Sequence, residues 1–201
     1  VLFFVVLIPL VIVGERKHLK KSVLLLIVLM GVSLCISYLT RGDVLYSKDG
    51  TYEKITIYDG QFSGRPTRFF QQDRSGSGAM FLDSRDPKDL VYDYTKYYSL
   101  YKVFNPEIQR ALVIGGGAYS IPKALLADLP HATIDVSEIE PSLSGLAQEY
   151  FGLSDDPRLH NYTDDGRRLL HDTDKNYDLI FSDVYYSLFS IPAHFTTEEF
   201  F

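Results

Sequence analysis

"ALVIGGGAYSIPKALLADLPHATIDVSEIEP", residues Ala111 to Pro141, decides the fold. An unbroken apolar run ends in three glycines, a stretch rich in helix formers follows, and a second apolar run ends in two acids, Glu138 and Glu140. Short continuous apolar runs bounded by turn residues are strands buried on both faces. The alternation continues downstream: "PSLSGLAQEYFG" reads as a helix closed by Gly152, "RLHNYT" as a strand, "GRRLLHDT" as a helix and "YDLIFSDV" as a strand. Strands alternating with helices predict an α/β fold with a parallel sheet covered on both faces.

The turn between the first strand and its helix is the first candidate site. Glycines there let backbone approach a ligand, and an acid ending the second strand can accept hydrogen bonds from ribose hydroxyls. Gly115, Gly116 and Gly117 fill the turn, and Glu138 lies 21 residues after Gly117. The dinucleotide fingerprint is incomplete, because its third glycine falls at Ser120. Three glycines alone make only a tight turn; their place after a strand and the spaced acid give the turn a binding role. Asp165 and Asp183 follow the third and fourth strands, at the edge where open α/β sheets bind ligands. Asp165 also stands where it caps the helix "GRRLLHD". A carboxylate ending the apolar strand at Asp183 is costly to desolvate without a partner or substrate.

Upstream, "DVLYSKDGTYEKITIYD" alternates apolar positions around Asp49-Gly50 and reads as a β-hairpin. "FFQQDRSGSGAMFLDSRDPKD" continues it, with a Gly/Ser turn between two apolar segments. "PKDLVYDYTKYYSLYKVF" reads as a helix capped by Asp86 with Pro87 at its first position. Its tyrosines fall on more than one face, so some belong to the core and some line a pocket.

Near the start, Val23 to Leu39 is 17 residues without a charge, Val1 to Val13 is a second apolar run, and "GERKHLKKS" lies between them. Two apolar runs around a basic hinge predict a transmembrane helical hairpin. The expected organisation is a membrane region over 1–40, a β-hairpin domain over 41–85 and a nucleoside-binding domain over 86–201. The first residue is not Met and the last, Phe201, falls inside a helix-like stretch, so a fragment of a longer chain is expected.

The 201 residues are 46% hydrophobic, enough for one core. Residues 1–39 carry +3 and the remainder −9 of the net −6, which argues against nucleic acid as a partner. Cys35 is the only cysteine, so neither an intrachain disulfide nor a thiolate metal cluster is available and no metal is expected.

In order and spacing, "ALVIGGGAYSIPKAL", "DVSEIEP", "YFGLSDDPRL", "DDGRRLL" and "YDLIFSDVYYSLFSIPAHFTTEEFF" resemble the spermidine synthase family of polyamine aminopropyltransferases, in particular its membrane-associated relatives. The resemblance implies a class I methyltransferase-like Rossmann fold behind a β-hairpin domain. It also implies transfer of an aminopropyl group from decarboxylated S-adenosylmethionine to a diamine such as putrescine. In that light Gly115, Gly116 and Gly117 form the nucleoside turn, Glu138 holds the ribose, Asp165 faces the adenine amino group and Asp183 orients and deprotonates the attacking amine. Tyr52 and Tyr92 fall near tyrosines that shape the family's substrate pocket. Relatives commonly form homodimers, and the donor's cytosolic origin implies a cytosolic catalytic domain on a multi-pass membrane protein, with lipid as a further partner.

The sequence departs from the family pattern at several positions. An Asp-Gly pair after the glycines is Ala118-Tyr119 here, a Gln after the hairpin tyrosine is Glu53, and a Tyr-His-Glu is Tyr92-Asp93-Tyr94. The missing Asp favours one alternative, an S-adenosylmethionine-dependent methyltransferase on the same fold; a non-catalytic nucleoside-binding membrane protein is the other.

Overall fold

The structure is a computed structural model that describes residues 16–39, 42–184 and 191–200. It divides into two units, Val1–Gly42 and Asp43–Phe201. In the first, helix α1 spans Arg16–Leu39. The expected transmembrane hairpin and multi-pass membrane placement are corrected here: among the described residues no helix is long and apolar enough to cross a membrane. The first turns of α1 are spent on Arg16, Lys17, Lys20 and Lys21. The apolar stretch left over falls short of the ~20 residues that a bilayer core requires. The apolar run Val1–Val13 lies outside the described residues.

The second unit opens with four antiparallel strands in sequence order, β1 (Asp43–Asp49), β2 (Lys54–Phe62), β3 (Arg65–Gln72) and β4 (Ser75–Phe81). Ile55, Ile57 and Phe70 put the buried face of this sheet into the main core. The Gly/Ser stretch lies inside β4 instead of forming the expected turn, which falls at Asp73-Arg74 with Asp73 at φ 49°. The small residues serve a close approach: a Cβ at Gly78 would stand 2.6 Å from the Ala118 Cβ.

The helix expected from Pro87 is also corrected. A 3-10 segment, Asp93–Leu100, leads into the short helix α2, Tyr101–Phe104. Before it, Asp86 accepts from the Lys88 N–H (2.9 Å) in a turn, and Tyr92 is extended. Leu90 and Val91 enter different apolar clusters, which holds the chain out of a helix there.

The remaining elements follow the expected alternation: β5 (Arg110–Ile114), α3 (Ser120–Asp128), β6 (Thr133–Glu138), α4 (Leu143–Tyr150), β7 (Leu159–Thr163), α5 (Gly166–Asp172) and β8 (Leu179–Ser182). The sheet is fully parallel in the order β7-β6-β5-β8. Ala111, Leu112 and Val113 on β5 are wholly buried, as a central strand covered on both faces requires. The edge strand β8 is half covered, with Ile180 47% exposed. Gly152 at φ 66° ends α4 in a left-handed cap. The chain moves from β5 outward to β6 and β7, then returns to β8 on the other side of β5. That reversal opens a crevice at the carboxyl ends of β5 and β8, where ligands of such sheets bind.

Candidate active site

At the crevice the Asp183 N–H donates to the Ile114 carbonyl (2.8 Å), so β8 delivers Asp183 to the first glycine after β5. Gly115 has φ 90°, and a Cβ there would run into the Asp183 carbonyl oxygen. Both requirements exclude side-chain-bearing residues. Gly116 and Gly117 turn their N–H groups to Glu138, whose Oε2 accepts from them at 2.7 and 3.3 Å. Tyr119, left-handed at φ 56° and fully buried, supports this turn from below: its N–H donates to the Gly116 carbonyl (2.7 Å). Its ring fills the space that a Gly116 side chain would need.

Glu138 also accepts from the Glu140 N–H through Oε1 (2.9 Å). Two oxygens thus face three backbone donors, which fixes the carboxylate before any ligand arrives. Asp183 is treated differently. Its Oδ2 accepts one long bond, from the Tyr94 hydroxyl (3.3 Å). Burial pushes its carboxyl up to about 6, against the Tyr94 hydrogen bond that pulls it down. Such a group is ionised at neutral pH yet basic enough to take a proton.

A cavity of about 780 Å³ is lined by Gly115, Gly117, Glu138, Asp165, Asp183 and Tyr52. This is ample for a nucleoside and a small second substrate. Beside Asp183 a recess of about 20 Å³, bordered by Tyr92, Gly78 and Ala118, has room for about one water-sized group. Gly115, Gly116, Gly117, Glu138 and Asp183 are therefore brought together. Asp165 reaches the same cavity, but its Oδ1 caps α5 by accepting from the N–H groups of Arg167 (3.0 Å) and Arg168 (3.1 Å). Its Oδ2 lies 3.4 Å from His194 Nε2. Tyr52 is 62% exposed at the rim. Tyr92 borders the inner recess, edge-on to Phe62 and stacked on Tyr94.

Sequence reasoning missed Tyr94 and Glu140. Tyr94 stood among five tyrosines with nothing in the pattern to single it out, whereas Tyr98 and Tyr101 of the same run went to the core. Glu140 had a signal, being the second acid of Glu-Ile-Glu.

No family model matches the chain. Its similarity to curated proteins is consistent: 26% identity over 183 residues to the polyamine aminopropyltransferase of Vibrio vulnificus, spanning 89% of this chain and 60% of that protein. The enzyme of the same name from Alkaliphilus oremlandii is 27% identical over 143 residues, 69% of this chain and 47% of its own length. The resemblance to the polyamine aminopropyltransferases holds. The chain spans about half the length of these relatives, between 47% and 60%. Among solved structures, a probable spermidine synthase from Corynebacterium glutamicum superposes with a TM-score of 0.66 at 22% identity, covering 77% of this chain and 57% of that one. A spermidine synthase in complex with the transition-state analogue AdoDATO gives 0.61 at 20% identity, covering 79% and 52%. The spermidine synthase-like α/β fold is that of this chain.

Proposed function

We propose that this chain carries the donor side and the base of an aminopropyltransferase, which moves the aminopropyl group of decarboxylated S-adenosylmethionine to a small diamine such as putrescine. The observation that carries this reading is Asp183: a half-buried carboxylate, pushed up to about 6 by burial, at the lip of a glycine turn whose acid is already oriented. In the reaction the lone pair of the neutral amine forms a bond to the carbon next to sulfur. The carbon–sulfur bond breaks, its electrons neutralise the sulfonium, and methylthioadenosine leaves. An alkylammonium has a pKa of about 10, as lysine does, so the acceptor must shed a proton. Asp183 takes it, and the carboxylate that recruits the cation is also the one that aligns the amine.

Gly115, Gly116 and Gly117 hold the nucleoside close to backbone, Glu138 takes the ribose hydroxyls, and Asp165 keeps its capping role while its second oxygen reaches the adenine amino group. Tyr52 and Tyr92 bound the substrate space. Most of the rate comes from placing amine and carbon in line, an effect worth roughly 7 kcal/mol or more.

A second reading, methyl transfer from S-adenosylmethionine, is favoured by one observation: Ala118 is buried against the Gly78 backbone and offers the aminopropyl ammonium no partner. Calorimetric titration with the two donors separates them. Tighter binding of the decarboxylated form, with spermidine formed from putrescine, supports aminopropyl transfer; tighter binding of the carboxylated form overturns it.

A further inference from the structure

Glu140 has no part in that chemistry, yet its placement is costly. It is 5% exposed, and among the described residues no basic side chain pairs with it. Backbone and hydroxyl donors satisfy its oxygens instead. Oε2 accepts from the Thr51 N–H (2.6 Å), and Oε1 accepts from the Ser142 hydroxyl (2.8 Å) and N–H (3.3 Å). Burial pushes its carboxyl up, but these bonds outweigh burial and the net displacement is downward. It therefore stays ionised.

Its partners lie in two places that are far apart in sequence. Through its own N–H, Glu140 binds Oε1 of Glu138, the acid that orients the glycine turn. Through Oε2 it grips the β1–β2 turn at Thr51, 89 positions away in the chain. The fit is close: a Cβ at Gly50 would stand 2.8 Å from the same oxygen. That turn carries Tyr52 and Glu53, both in the wall of the large cavity. An unbroken run of hydrogen bonds thus joins Gly116 and Gly117 to Glu138, Glu140 and Thr51.

We propose that Glu140 is a positioning residue that couples nucleoside occupancy at Glu138 to the order of the β1–β2 turn, so that a bound donor fixes the Tyr52–Glu53 wall. The inference rests on the reading of Glu138 as the nucleoside acid. Ribose hydroxyls on Glu138 add to the bonds that already orient it and so tie down the Glu140 N–H bound to its other oxygen, and the Glu140 carboxylate then holds the Thr51 N–H more tightly. Charge-assisted bonds of this length are strong enough to carry such coupling.

The test is hydrogen–deuterium exchange on the full chain with and without methylthioadenosine. The wild type is expected to slow about tenfold both at Gly115–Gly117 and across the turn 50–53, since one charge-assisted bond corresponds to about that factor. Glu140→Ala keeps the first protection and loses the second; Glu140→Asp, which retains the charge but draws it back from Thr51, does the same if the alanine variant does not fold. Ligand-dependent protection of the turn that survives in a folded variant overturns the proposal. So does a wild type that protects the glycines but not the turn. Protection of neither segment overturns the nucleoside reading itself, and the coupling with it.

Discussion

Glu138 and Asp183 end two strands that flank the same β5, and the two sides of the crevice treat their carboxylates in opposite ways. On the β6 side three backbone N–H groups converge on Glu138. On the β8 side Asp183 meets one phenol at 3.3 Å, and burial leaves it more basic than an ordinary aspartate. The first arrangement stabilises a charge in place and suits a binding group. The second leaves a charge under-compensated and suits a group that exchanges a proton. Environment, not residue type, divides the roles proposed for the two acids.

The largest effect that would break this division is on turnover. Asp183→Asn is expected to lower kcat by about 10²–10⁴, the span of general-base contributions, while methylthioadenosine binding by calorimetry stays within about twofold. Equal losses in both would make Asp183 a binding group. Glu138→Gln should do the reverse, weakening nucleoside affinity about 10- to 100-fold as a charged acceptor of several bonds is lost. A kcat effect without a change in affinity would merge the two sides.

The pH profile sharpens the contrast. Activity should rise with pH and level off above about 6, because the base proposed for the reaction, Asp183, acts in its ionised form. Tyr94→Phe removes the hydrogen bond that lowers this value, so the rising limb should move to higher pH; an unmoved limb would take Tyr94 out of the site.

Stability follows with its own sign. Asp183 titrates higher folded than unfolded, so its contribution is most favourable below about 4 and is lost as pH rises through about 6. Asp183→Asn should therefore raise the melting temperature above pH 6, by the equivalent of about 1 kcal/mol once solvent screening is allowed for, and not at pH 4. A further effect of about the same size is expected at Asp165. Asp165→Ala removes the cap of α5 and should cost about 1 kcal/mol in urea unfolding. A nucleoside affinity unchanged alongside that loss would confine Asp165 to capping.

The parallel sheet was legible because its strands are buried on both faces and so are written as unbroken apolar runs, with punctuation at Gly115 and Gly152. The antiparallel region was read less well. Ser75 to Gly78 carries turn residues but lies in β4, since small side chains there admit Ala118 and the Tyr92 hydroxyl at close range. Asp86-Pro87 carries a helix-start signal, but Leu90 and Val91 are drawn into separate clusters and helical structure begins only at Asp93. The apolar stretch after Lys21 gave the period-free hydrophobicity of a membrane span, yet its length is insufficient once the basic turns of α1 are discounted.

By itself the sequence determined the strand and helix order of the parallel sheet, its glycine turn and the acids at its strand ends, because burial and backbone geometry restrict which residue types can stand there. Tertiary structure alone decided which of those acids share a cavity, that Tyr94 is the partner of Asp183, and that Glu140 reaches Thr51. Those pairings join residues 89 positions apart. No local pattern encodes them, since they follow from the return of β8 beside β5 and the packing of the antiparallel sheet against the glycine turn.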